Sequence, residues 1–140
     1  MKTWIIYAVL SMIFAGVTSV IAKMGLTGIT GELGLTVRTL FVFVFIMSFA
    51  YFTVPPSQIS GLSRGNYLWL GLSAVTTSLS WIFYYKALKQ GEVSTIALID
   101  KGSMIVAVIL AYFILKEQIT ARTWAGGALM VAGLLIIAKK

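Results

Sequence analysis

Residues 93–115 read VSTIALIDKGSMIVAVILAYFIL, an apolar run with one acidic and one basic residue near its first third. A hydrocarbon core of ~30 Å is crossed by ~20 apolar residues in a helix, and this run is long enough. Lipid offers no hydrogen-bond partner to a backbone amide, so such a run reads as a helix rather than a strand or loop. Working outward, 67–85 and 121–138 flank it, and 36–54 and 3–22 precede them, all apolar and close to spanning length. The connections are short: 27–35, 55–66, 86–92 and 116–120. Pro55 and Pro56 should stop the second helix, because proline lacks the amide and clashes with the preceding turn. Short turns make successive helices antiparallel neighbours. The expected fold is therefore all-α, a bundle of five transmembrane helices forming one domain over residues 1–140.

Composition agrees with that class. Hydrophobic residues are 59% of the chain and charged residues 11%, where a soluble domain carries roughly a quarter. Residues 1–22 read as a retained first helix. Their apolar run is too long for a signal-peptide core and lacks a clear cleavage site. The net charge of +7 does not point to nucleic acid, since the basic residues are scattered over helix ends, where they anchor and orient spans. With no cysteine and no histidine, thiol chemistry, disulfides, histidine-ligated haem and the common zinc sites are excluded, and no cofactor is expected. A single carboxylate inside a span makes neither a pair nor a triad, so an enzyme is not expected.

Five spans put the termini on opposite sides. Lys2, Arg64, Lys116 and Arg122 then fall on the N-terminal side. Lys23, Arg38, Lys86, Lys89, Lys139 and Lys140 fall on the other. That is a weak bias towards a cytoplasmic C-terminus, compatible with dual insertion or with one poorly encoded orientation.

Several residues stand out as candidates. Asp100 is the acidic residue inside a span, ~10 Å along its helix at 1.5 Å per residue. Ser103, Ala107 and Ala111 continue its stripe, so it should face protein. Intramembrane charges are costly and commonly functional; the other reading is a structural ion pair. Lys101, ~100° round a regular helix, is not expected to pair with Asp100, which leaves Lys23, Arg38 or Lys86 as its candidate partners. On the first helix Ser11, Ala15, Ser19 and Lys23 share a stripe, which is either an inward polar face or a packing seam with Lys23 at the membrane edge. On the third, Ser73, Thr76, Thr77, Ser80 and Tyr84 share a face beside Trp81 and Tyr85. Hydroxyls and rings of this kind line a path for amphipathic or cationic solutes, or simply hydrogen-bond between helices. The last helix is rich in small residues, Ala128 and Ala132 among them, and suits close packing within the monomer or against a second subunit. The five phenylalanines of 41–52 show no one-sided pattern and should mostly face lipid.

The segment Tyr84-Tyr85-Lys86-Ala87-Leu88-Lys89-Gln90-Gly91-Glu92-Val93-Ser94, followed by Ile99-Asp100-Lys101-Gly102-Ser103, by Leu115-Lys116-Glu117-Gln118-Ile119 and by the small-residue helix 126–137, resembles the EamA domain of the drug/metabolite transporter superfamily. The family's closing motif usually reads Leu-Gly-Glu, and Lys116 stands here in the glycine's place. The resemblance implies one half of a ten-helix transporter built from two inverted five-helix halves, whose site lies between halves at the midplane. It implies a secondary transporter of small metabolites or drugs, an exporter in a prokaryotic cytoplasmic membrane. Its partners would be the bilayer, a small-molecule substrate and a second copy (antiparallel in one arrangement) or a sister subunit. Asp100 would take a substrate cation or coupling proton, Lys23 and Lys101 would balance its charge or attract anionic groups, and Ser80, Trp81, Tyr84 and Tyr85 would line the path. A small multidrug-type antiporter is disfavoured because the first span carries no acidic residue. A lipid-linked sugar flippase subunit and a non-transporting scaffold are the alternatives.

Overall fold

A computed structural model describes residues 3–138, and every described element is helical. Lys2, Lys139 and Lys140, which enter the charge comparison above, lie outside the described residues. The helices are α1 (Thr3–Gly25), α2 (Gly31–Thr53), α3 (Pro56–Ser60), α4 (Arg64–Gln90), α5 (Val93–Asp100), α6 (Ser103–Ile114) and α7 (Ala121–Ala138). Among the described residues, three segments are long and apolar enough to cross a membrane: Thr3–Gly25, Gly31–Thr53 and Val93–Ile114. Ala121–Ile137 is apolar but shorter. The longest helix, α4, is not among the three, and its middle is loaded with serine and threonine.

Several boundaries differ from expectation, each for a local reason. The second helix starts at Gly31 rather than 36. Thr30 caps it by accepting from the Leu33 amide at 3.2 Å, and Glu32 sits in the first turn, where the helix dipole favours an anion. Pro56 opens the short α3 in the 55–66 connection, the first helical turn being where proline is tolerated. Ser63 and Asn66 cap α4 reciprocally, the Ser63 amide donating to Asn66 Oδ1 at 2.9 Å and the Asn66 amide to Ser63 Oγ at 3.2 Å. At its other end α4 runs on through 86–90, since Lys, Ala, Leu and Gln are good helix formers.

The fourth apolar stretch is two helices, not one. The Gly102 amide bonds to Ile99 O at 2.9 Å, and those of Met104 and Ile105 to Lys101 O and Gly102 O at 3.1 and 3.0 Å. These i→i−3 bonds tighten the chain into a 3₁₀-like turn. Of the expected stripe Asp100–Ser103–Ala107–Ala111, Asp100 and Ala111 are half-buried and Ser103 and Ala107 exposed, while Ile105 and Val108 are also half-buried, so the stripe turns inward only in part.

The chain forms two compact units. In residues 20–90, α2 packs on α4, and the buried residues are Leu26, Gly31, Tyr85 and Leu88. Gly31 allows the approach, because a Cβ there would lie 2.9 Å from Tyr85 O. Lys23 Nζ donates to Leu88 O, one of the unpaired last carbonyls of α4. Lys89 Nζ donates to Leu26 O at 3.1 Å. In the other unit, residues up to 19 with those from 91 on, α7 packs on α5 and α6. An edge-to-face contact of Tyr112 with Trp124, at 6.1 Å, joins α6 to α7. Most large apolar side chains, the phenylalanines of α2 included, are exposed, an outer surface suited to lipid.

Candidate functional site

In the 20–90 unit, α2 and α4 bring aromatic and charged groups together. The Arg38 guanidinium lies over the Trp81 ring, 4.4 Å from its centroid, and 5.8 Å from that of Tyr85. Tyr84 and Tyr85 meet edge to face at 6.4 Å. Glu32 pairs with Lys86 at 3.5 Å, both side chains about half exposed. A cleft of 510 Å³ beside them is lined by Glu32, Thr36, Thr39, Ser78, Trp81 and Lys86, among others. Its size suits a small solute.

The predicted site residues divide between the two units. Lys23, Ser80, Trp81, Tyr84 and Tyr85 belong to one, Asp100 and Lys101 to the other. Trp81, Tyr84 and Tyr85 come together. Ser80 is exposed and is not part of the cleft wall, where Ser78 stands instead. The threonine and serine hydroxyls that bond do so along their own helices: Thr76 to Leu72 O and Ser73 O, Ser78 to Ala74 O, Thr36 to Glu32 O. On α1, Ser11 is exposed, Ala15 and Lys23 are half-buried and Ser19 is buried, so the stripe turns inward from Ala15 onward.

Asp100 and Lys101 correct the expectation for them. Lys101 Nζ lies 3.5 Å from Asp100 Oδ2. The pairing is possible because α5 ends at Asp100 and the tightened turn replaces the regular 100° step. Of the partners expected for Asp100, Lys86 is paired with Glu32 and Arg38 stacks on the rings.

Arg38 is the residue the sequence reading missed, having been counted only as a topology charge and a possible partner of Asp100. Its signal was the spacing Gly31, Gly34, Arg38, Val42, one inward stripe at three- and four-residue steps. On α6 and α7 a second, apolar cleft of 750 Å³ is lined by Met104, Val108, Trp124, Gly126, Gly127 and Val131, among others. It follows the small residues of the last helix.

Comparison with known proteins agrees with these features. Residues 2–139 match the model of the EamA-like transporter family. A Sinorhizobium protein described as an uncharacterized transporter in the cobO 3′ region is 33% identical over 137 residues, covering 98% of this chain and 97% of its own length. No solved structure matches. Apolar spans, a charge-bearing break within one of them and a family match over nearly the whole length lead to one conclusion: the chain is an integral membrane protein belonging to the EamA-like transporter family.

Proposed function

We propose that this protein is a secondary transporter exporting small metabolites across a prokaryotic cytoplasmic membrane, acting as a dimer by alternating access. In this reading α1, α2, α4, the α5–α6 pair and α7 are five spans, equivalent to one inverted-repeat half, and a second copy supplies the other half. The observation that carries the reading is Asp100, a part-exposed carboxylate at the break in the Val93–Ile114 span. Charges inside a span mark ion or substrate paths, and broken spans are a recurrent device for binding coupling ions. Asp100 takes the coupling proton or a substrate cation, and Lys101 beside it balances the charge when the site is empty. In the other unit Trp81, Tyr84 and Tyr85, with Ser80 and Lys23, serve the solute.

The test is Asp100→Asn. Everted vesicles and proteoliposomes are assayed with a panel of labelled amino acids and with ethidium under an imposed pH gradient. The wild type moves at least one of them, and the Asn variant, folded by circular dichroism and monodisperse, moves none. Normal fluxes through a folded Asn variant would remove Asp100 from the mechanism. Unaltered fluxes in both a deletion strain and reconstituted vesicles would favour the scaffold reading instead.

A further inference from the structure

We propose that Arg38, seated on the rings of Trp81 and Tyr85, is the contact point for an oxyanion, a carboxylate or phosphate group. The inference deepens the transporter reading by naming a substrate class, and it rests on that reading for the word substrate.

Three observations carry it. First, Arg38 makes no hydrogen bond or ion pair with any described residue, and its Nη1 is buried without an acceptor. A guanidinium keeps its charge and has five donors and no acceptor. Ring faces attract its charge but are poor substitutes for oxygen acceptors. Buried donors left unsatisfied are rare and call for an explanation, and an oxyanion matches the guanidinium fork in charge and shape. Second, no protein carboxylate in this unit is available to it. Residues 20–90 contain one acidic side chain, Glu32, and that one is held by Lys86. The same residues contain five basic side chains, Lys23, Arg38, Arg64, Lys86 and Lys89. A surplus of one sign raises the local concentration of the opposite ion. Third, Trp81, the ring under Arg38, also lines the 510 Å³ cleft, whose charged wall is the Glu32–Lys86 pair, neutral as a unit, so that among the described residues Arg38 is the unpaired charge beside it. A solute in that cleft lies next to the arginine's own platform and to the Lys86 ammonium, while the hydroxyls of Thr36, Thr39 and Ser78 already donate to Glu32 O, Leu35 O and Ala74 O.

This placement reverses the preference read from the sequence. Exposed tryptophan and tyrosine faces would attract a cationic solute, but here those faces already hold the protein's own cation, and what the cation lacks is an anion.

The experiment uses the full chain with Trp4, Trp69 and Trp124 changed to Phe, so that emission reports Trp81. It is reconstituted in nanodiscs of zwitterionic lipid. Succinate, inorganic phosphate and tetramethylammonium are titrated at matched ionic strength. A saturable emission change with succinate or phosphate, and none with tetramethylammonium, is expected. Arg38→Lys keeps the charge but loses the fork, and should weaken the response about tenfold or more. Arg38→Gln should abolish it. Circular dichroism and size exclusion check both variants, and the lysine variant alone decides if the glutamine variant does not fold. A parallel set of nanodiscs contains phosphatidylglycerol. An Arg38-dependent emission change there without added anion, together with no response to free anions, assigns the oxyanion to a lipid headgroup and upholds the site. No Arg38-dependent response in either lipid, or saturable binding of tetramethylammonium, overturns the proposal. Fluxes of cationic solutes that require Asp100, in a protein whose Trp81 ignores anions, would leave the transporter reading standing and this inference refuted.

Discussion

Lys116 is the described non-glycine residue with a positive φ, 57°. It follows the last turn of α6, and the next amide, that of Glu117, folds back to Ala111 O at 3.2 Å. A left-handed residue at a helix end is usually glycine, because a Cβ crowds the neighbouring carbonyl there. The family pattern Leu-Gly-Glu thus has a conformational cause, and Lys116 carries the strain that glycine avoids. Lys116→Gly should stabilise the protein by about 1 kcal/mol, seen as a higher melting temperature of the purified protein in detergent. Lys116→Ala separates conformation from charge, since it keeps the strained Cβ and should give no such gain. An equal rise in both variants would locate the effect in the lysine's charge. At this scale the motif residues were legible because the reasons for them are local. Arg38 was not. Its partners Trp81 and Tyr85 lie more than forty positions along the chain, and nothing local separates an arginine stacked on rings from one anchored at the membrane edge.

Between elements, α2 approaches the backbone of α4 closely at Gly31. A Cβ there would lie 2.9 Å from Tyr85 O, 3.1 Å from Tyr85 C and 3.4 Å from Lys86 N. All three are backbone atoms, so no rotamer change relieves the clash and the helices must part. Gly31→Ala should therefore destabilise by about 1–3 kcal/mol, the usual range for overpacking. It should also disturb the contact of Tyr85 with Arg38, about two turns along α2 from Gly31. Gly34 is the contrast. A Cβ there meets the far end of the Leu26 side chain, which can swing aside, so Gly34→Ala should cost less. Melting temperatures of the two variants settle it, and a larger loss at Gly34 would mean that Leu26 is locked in place. The same physics explains what could be read in advance at this scale. Apolar length marked the cores of the helices, and α7 has the bounds expected for it. Glycines misled at both ends of the inference. Gly31 and Gly34 made the start of α2 look like loop, and the packing role of Gly31 depends on a distant helix. The stretch 93–115 reads as one helix although Gly102 lies within it, and there the chain tightens and brings Lys101 to Asp100.

For the whole molecule, the question is how a chain of this length builds a transport path. Its large apolar side chains are exposed along α1, α2 and α6, so lipid or a second subunit must cover them. A pseudo-two-fold axis in the membrane plane, the arrangement of inverted-repeat transporters, requires the second copy to insert upside down. Insertion direction follows the distribution of Lys and Arg in short loops. With five spans, four such residues stand against six, a weak bias towards a cytoplasmic C-terminus that is compatible with dual insertion or with one poorly encoded orientation; the antiparallel dimer requires the first. Reporters active only in the cytoplasm, and others active only outside it, fused to the C-terminus should therefore both give signal. Adding basic residues to the connection 55–66, on the side of the N-terminus, should shift the ratio towards a C-terminus outside the cytoplasm. If the antiparallel dimer is the working unit, transport should fall as the ratio becomes one-sided. It should recover when two variants biased in opposite directions are expressed together. A C-terminus found only in the cytoplasm, with full transport by that single form, would exclude the antiparallel dimer and point to a parallel assembly or a sister subunit.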